Sequence, residues 1–235
     1  MVRATVDPNT ISYTAAITAC KEAAEWRTAL ALLATMVQVD VQPDTTSYNV
    51  TISSCQEAFV WRTALALLTA MGRTIVEPDT ISYSAAISAS GNAAEWQTAL
   101  ALLAVMGQAT VDPNAFSYTA AISACMSWWT TLALLATMDQ VAVQPKTISY
   151  NSAISACGKA SAWQAALTLL AAIGRAALDP DTISYSAAIS ACEGAAEWQA
   201  ALALLAAMVR IIVEPNTITF SAAISACEKG AEWQK

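Results

Sequence analysis

Six cysteines are the first residues here whose chemistry could matter: Cys20, Cys55, Cys125, Cys157, Cys192 and Cys227, with Ser90 at the one equivalent place that lacks a thiol. Their closest spacing is 32 residues, so there is no Cys-x-x-Cys pair of the zinc-binding type. The chain has no histidine, which excludes imidazole acid–base catalysis, histidine-based triads and imidazole metal ligation. No Gly-rich phosphate loop, no facing carboxylate pair and no nucleophile beside a base can be found, so the expectation is a non-catalytic protein without cofactor or metal. Two other series have chemistry of their own. Trp26, Trp61, Trp96, Trp128, Trp163, Trp198 and Trp233 could stack on planar rings, although they stand among leucines at core spacing. A small hydrogen-bonding residue follows each of Tyr13, Tyr48, Tyr83, Tyr118, Tyr150, Tyr185 and Phe220: Thr14, Asn49, Ser84, Thr119, Asn151, Ser186 and Ser221. Ser and Asn gain nothing as helix formers, so a recurring polar residue at that place needs another reason.

All these series share one phase. Pro8, Pro43, Pro78, Pro113, Pro145, Pro180 and Pro215 are the only prolines, and they follow one another at intervals of 35, 35, 35, 32, 35 and 35 residues. The chain is therefore a tandem array and not a domain with a single core. Each unit predicts two helices. After the proline comes a cap-forming residue (Asn9, Asp44, Asp79, Asn114, Asp181, Asn216), replaced by Lys146 in one unit. In the first helix Tyr13, Ile17 and Cys20 share one stripe, and Ile11, Ala15 and Ala19 share another. A turn near "KEAAE" precedes "EWRTALALLATM", where Trp26, Leu30, Leu33 and Val37 form one face and Ala29, Leu32 and Met36 a second. Two apolar faces predict a helix sandwiched between neighbours. Glu25, Glu95, Glu197 and Glu232 are expected in the first turn of that second helix, where its dipole favours an anion. Equivalent cysteines in stacked units would lie about 8–10 Å apart, beyond the ~7 Å reach of a disulfide, so buried reduced thiols are expected.

A 35-residue unit written "TISYNSAISACGKASAWQAALTLLAAI" and closed by Pro-Asp resembles the pentatricopeptide repeat. Tetratricopeptide repeats have a period of about 34 and carry proline near the end of the second helix. The resemblance implies an all-α, right-handed solenoid of stacked helix-turn-helix repeats. It divides the chain into units 10–44, 45–79, 80–114, 115–146, 147–181 and 182–216, with residues 1–9 ending a preceding repeat and 217–235 beginning a seventh. The "SACEKG", "WQ" and "ALALL" phrases are similar to those of plastid-bearing algae, implying an organelle, the chloroplast before the mitochondrion. In this family one RNA base is read per repeat by the residue after Tyr and the residue after the closing proline. The resemblance pairs Thr14 with Asp44, Asn49 with Asp79, Ser84 with Asn114, Asn151 with Asp181 and Ser186 with Asn216, favouring G, U, A, U and A. Thr119 pairs with Lys146, without an assigned base. The bases would be sandwiched by Ile11, Ile81, Ile148, Ile183 and Ile218, with Thr46 and Phe116 departing from the pattern.

Charge argues differently. Net charge is −7, charged residues are only 12% and hydrophobic residues 56%. The position after the cysteine, often basic in the family, reads Lys21, Gln56, Gly91, Met126, Gly158, Glu193 and Glu228, which is no phosphate track. The partners implied are thus single-stranded RNA or, alternatively, protein subunits of a large assembly such as an organellar ribosome, with no small-molecule substrate. The 26-residue uncharged run between Asp112 and Asp139 contains Pro113 and Asn114 and predicts two short helices, not a membrane span. In the fourth unit "CMSWWTTLALL" lacks three residues between the helices, which predicts a shortened helix end and no regular base contact.

Overall fold

The computed structural model describes residues 8–125 and 127–230. Among the described residues the chain is entirely helical: α1 Thr10–Glu22, α2 Trp26–Gln38, α3 Thr45–Glu57, α4 Trp61–Met71, α5 Thr80–Asn92, α6 Trp96–Gln108, α7 Ala115–Ala124, α8 Trp128–Gln140, α9 Thr147–Lys159, α10 Trp163–Arg175, α11 Thr182–Gly194, α12 Trp198–Arg210 and α13 Thr217–Gly230. Ile11-Ser12-Tyr13 and its counterparts, whose side chains alternate apolar and polar as a strand would, are thus helical in every unit. The helices form two compact units, Met1–Ala124 with α1 to α7 and Cys125–Lys235 with α8 to α13.

Within the first unit, α1, α3, α5 and α7 pack side by side. Each of α2, α4 and α6 lies against the first helix of its own hairpin and against that of the next. The second unit repeats this, with α9, α11 and α13 adjacent and α8, α10 and α12 behind them. Each unit has two ladders of fully buried side chains. One is Ile17, Ile52, Ile87 and Ile122 in the first unit, with Ile154 and Ile189 at the equivalent places of the second. The other is Met36, Met71 and Met106 in the first unit, with Met138, Ile173 and Met208 at the equivalent places of the second. Each such side chain contributes roughly 1.5–3 kcal/mol by burial. α5 has first helices on both sides and buries every residue from Ser82 to Ser90, so both predicted stripes are used there.

The second helices depart from expectation in part. α2, α4, α6, α10 and α12 lie between two first helices, and α4, α6 and α10 bury residues of both stripes (Leu67 and Leu68, Leu102 and Leu103, Leu169 and Leu170). The outer end of the first stripe is nevertheless left in solvent: in α2 the buried residues are Ala29, Leu33 and Met36, while Val37 is exposed. Each described tryptophan of the repeating series is the first residue of its helix, where the absence of a preceding turn leaves Trp26, Trp61, Trp96, Trp128 and Trp163 only half-buried and Trp198 exposed. Glu25, Glu95 and Glu197 stand one place before the first turn, as N-caps that make no side-chain capping bond. Trp233 and Glu232 lie outside the described residues.

Turns inside the hairpins close on Schellman-type bonds. Glu25 N donates to Cys20 O at 2.8 Å and Ala24 N to Lys21 O at 3.0 Å, with Ala24 left-handed at φ 58°. Phe59, Ala94, Ser161 and Ala196 repeat that geometry, and every positive-φ residue among those described is a non-glycine. α7 has 10 residues where α5 and α9 have 13, so the three-residue loss falls on its C-terminal end as expected. Cys55, Cys125, Cys157 and Cys192 are buried and unbridged, and burial pushes their thiols up to about 11. No metal-binding cluster occurs among the described residues, and no helix among them is long and apolar enough to cross a membrane.

Candidate nucleic-acid interface

The residue after each proline caps a first helix. Asp44, Asp79 and Asp181 each accept, through Oδ1, the backbone N–H of Ser47, Ser82 and Ser184 at 2.8 Å. Asn9, Asn114 and Asn216 do the same for Ser12, Ser117 and Thr219 at 3.0 Å. Capping uses one oxygen and leaves the rest of the group for a second task. Lys146 caps α9 with no acceptor side chain.

That second task joins consecutive hairpins. Asn49 on α3 donates from Nδ2 to Asp79 Oδ1 at 3.1 Å and lies 3.3 Å from Oδ2, while Ser82 Oγ donates to Asn49 Oδ1 at 2.5 Å. Asn151 and Asp181 repeat this, with Nδ2 to Oδ1 at 3.1 Å and Ser184 Oγ donating to Asn151 Oδ1 at 2.6 Å. Thr14 and Asp44 are linked through Ser47, at 2.8 and 2.7 Å. Ser84 and Asn114 are linked through Ser117, at 2.7 and 3.1 Å. Ser186 and Asn216 are not brought together: Ser186 Oγ donates to Thr182 O at 2.6 Å, and Thr219 Oγ1 turns back to Asn216 O at 2.6 Å. Thr119 Oγ1 donates to Ala115 O within its own helix, also at 2.6 Å.

Burial raises the Asp79 carboxyl, but bonds from the Ser82 backbone and hydroxyl, from Asn49 and from the Ile81 backbone outweigh it and hold the group below its ordinary 3.8. Asp181 is lowered in the same way, its burial offset by Ser184, Asn151 and Ile183. Both are carboxylates at neutral pH. The buried serines were not singled out by sequence reasoning, although their constant place three residues after each cap was the available signal.

Beside these pairs stand the large exposed isoleucines. Ile11 is 78% exposed, and Ile81, Ile148, Ile183 and Ile218 lie between 62% and 64%. One register position, repeatedly apolar and repeatedly in solvent, is unlike the scattered exposure of ordinary surfaces. In the first unit a cleft of about 450 Å³ is lined by Ile81, Phe116, Ser84, Asn114, Gln56 and Lys21. Another, of about 320 Å³, is lined by Ile11, Thr46, Thr14, Asp44, Ala15 and Thr18. Each cleft has two walls from consecutive hairpins and a polar pair in between. Thr46 and Phe116, the departures from isoleucine, occupy the wall position all the same. Lys21 is the cation at the rim of the first, and the equivalent Glu193 is instead paired with Lys229 at 2.8 Å.

Fold and site define a tandem helical-hairpin protein whose first unit has clefts with apolar walls and hydrogen-bonding pairs between them. Residues 1–57, 66–127 and 168–229 match the pentatricopeptide repeat domain, and residues 148–173 match the PPR repeat. The chain belongs to the pentatricopeptide repeat family. Among solved structures it is similar to the pentatricopeptide repeat protein PPR10 from maize, with TM-score 0.77 and 20% identity over 96% of this chain and 33% of that one. It is also similar to PPR10 in complex with an 18-nt psaJ RNA element, at TM-score 0.61 and 21% identity over 94% of this chain and 36% of that one. The PPR domain of Arabidopsis thaliana protein-only RNase P 1, in complex with tRNA, aligns at TM-score 0.53 and 12% identity over 91% of this chain and 95% of that domain. The chain spans about a third of the length of PPR10. No curated protein matches it.

Proposed function

We propose that the clefts between first helices bind single-stranded RNA in an organelle, one base per hairpin, without catalysis. The observation that carries this reading is the direct bond between Asn49 and Asp79, repeated by Asn151 and Asp181. It aims a rigid donor–acceptor pair from two consecutive hairpins beside an exposed isoleucine. Apolar walls suit the faces of an unstacked base, and the polar pair suits its edge. By family resemblance the pairs correspond to G-U-A-x-U-A, with x facing Thr119. Ile11, Ile81, Ile148, Ile183 and Ile218 would hold the base faces, and a chloroplast is the preferred compartment.

The test is binding of the full chain to a strand carrying G-U-A-x-U-A and to one with A as the second base. The first should bind about tenfold more tightly, the discrimination of one good two-bond base contact. Asn49→Ser with Asp79→Asn should move the preference to the second strand. Equal affinity for both strands removes the reading. A second reading, docking against protein subunits, is favoured by the net charge of −7 and by the pairing of Glu193 with Lys229 where a phosphate contact would be needed. Its mark would be recovery in a complex that survives ribonuclease.

A further inference from the structure

The hydroxyls of Ser47, Ser82, Ser117 and Ser184 are fully buried, and each lies between a cap residue and the polar residue of the preceding first helix. The geometry points to these serines as positioning residues that convert the identity of the cap into the hydrogen-bonding pattern offered to a base. This deepens the RNA reading above and rests on it.

A hydroxyl has one proton and two acceptor sites. In the first pair Ser47 Oγ gives its proton to Asp44 Oδ1, at 2.7 Å, so the 2.8 Å contact with Thr14 must be donated by Thr14. Thr14 then offers only lone pairs, and so does Asp44 Oδ2. Two acceptors are the complement of the adjacent N1–H and N2–H₂ donors of guanine. In the third pair Ser117 donates to Asn114 Oδ1 and Ser84 donates to Ser117. Ser84 is again an acceptor, but Asn114 now presents Nδ2–H, and an acceptor with a donor is the complement of adenine N6–H₂ and N1. In the second pair Asn49 gives one Nδ2 hydrogen to Asp79. The Ser82 hydroxyl, within reach of Asp79 Oδ1 at 2.9 Å and of Asn49 Oδ1 at 2.5 Å, shares its one proton between them, with the nearer Asn49 Oδ1 taking the larger part. What remains is one N–H beside the lone pairs of a carboxylate, the complement of uracil O4 and N3–H. The cap decides the pattern, and the serine transmits it. Without Ser47 or Ser117, the Thr14 or Ser84 hydroxyl could donate as readily as accept. Without Ser82, Asn49 Oδ1 would be free to accept the amino group of cytosine or adenine.

The last pair supplies the contrast. The same position there is Thr219, whose hydroxyl turns to its own backbone, and Ser186 is left bonded to Thr182 O. The link is open and the Ser186 proton uncommitted to the cap.

The experiment uses the full chain and sets of RNAs that differ from G-U-A-x-U-A at one base. Ser82→Ala should lower the preference for U over C at the second base about three- to tenfold, the scale of one net hydrogen bond, and leave the first and fifth bases unaffected. Thr219→Ser retains a cap hydroxyl and closes the link, so the preference for A over G at the sixth base should rise about threefold or more. An unchanged second-base preference in Ser82→Ala overturns the inference, as does a loss spread evenly over all bases, or no change in Thr219→Ser. If the parent chain shows no base preference at any position, the RNA reading itself falls and takes this inference with it.

Discussion

Ile212 joins α12 to α13 in the left-handed region, with φ 63° and its side chain 89% exposed. A Cβ in that conformation crowds the following carbonyl oxygen at a cost of roughly 1–2 kcal/mol, and a branched side chain is the least suited to it. The side chain offsets little of this, being almost entirely in water. The bonds that set the turn, Val213 N to Met208 O at 3.0 Å and Ile211 N to Ala207 O at 3.2 Å, are made by backbone and survive substitution. Ile212→Gly removes the crowding and forfeits roughly 0.5–1 kcal/mol through the greater freedom of glycine in the unfolded chain. The net expectation is a stabilisation of about 0.5–1 kcal/mol, or roughly 2–8 °C in Tm for a unit of about 100 residues. Circular dichroism at 222 nm against temperature measures it. Ala177→Gly, at φ 55° and without the β-branch, should gain less. If Ile212→Gly melts at or below the parent while its helix content is unchanged, the left-handed turn is not strained and the reasoning fails.

Acid should weaken both units through particular carboxylates. The folded-state pKa values of Asp79 and Asp181 are depressed below 3.8, so their contribution is complete above that value and disappears as pH falls through the lower folded one. Tm should therefore drop below about pH 4, and Asp79→Asn with Asp181→Asn should flatten that part of the profile; an identical profile in the double variant refutes the assignment. Thiol labelling should divide the cysteines by burial. Cys55, Cys125, Cys157 and Cys192, pushed up to about 11, should resist alkylation at pH 8, while the half-buried Cys20 and Cys227 react first. Mass spectrometry of partially labelled protein reads the order, and uniform labelling of all six would contradict the packing.

The repeat was legible because a tandem array writes its packing many times. A lone Ile-Ser-Tyr-Ser is ambiguous between strand and helix, but seven variants of it in phase with proline and tryptophan are not. The same redundancy marked the polar residue after each Tyr and the cap after each proline, and it located the shortened end of α7. Individual environments were less legible. Composition and spacing placed the tryptophans in the core, yet a residue at the first position of a helix has no preceding turn to cover it, and they remain half in solvent. The two-faced apolar pattern of α2 placed it between two first helices, as found, but not which of its residues are covered: Ala29, Leu33 and Met36 are buried while Val37 stays in solvent.

Sequence by itself determined the period, the helical hairpin, the absence of imidazole chemistry and the positions that repeat. These depend on spacing along the chain and on the local preferences of proline, Asp, Asn and Ser. Only tertiary structure decided that Asn49 bonds Asp79 directly, that Thr14 reaches Asp44 through Ser47, and that Ser186 does not reach Asn216. Those partners are about 30 residues apart and on different helices. Whether they meet depends on how closely two packed helices approach and on which way one buried hydroxyl turns, and neither quantity is written in the periodicity.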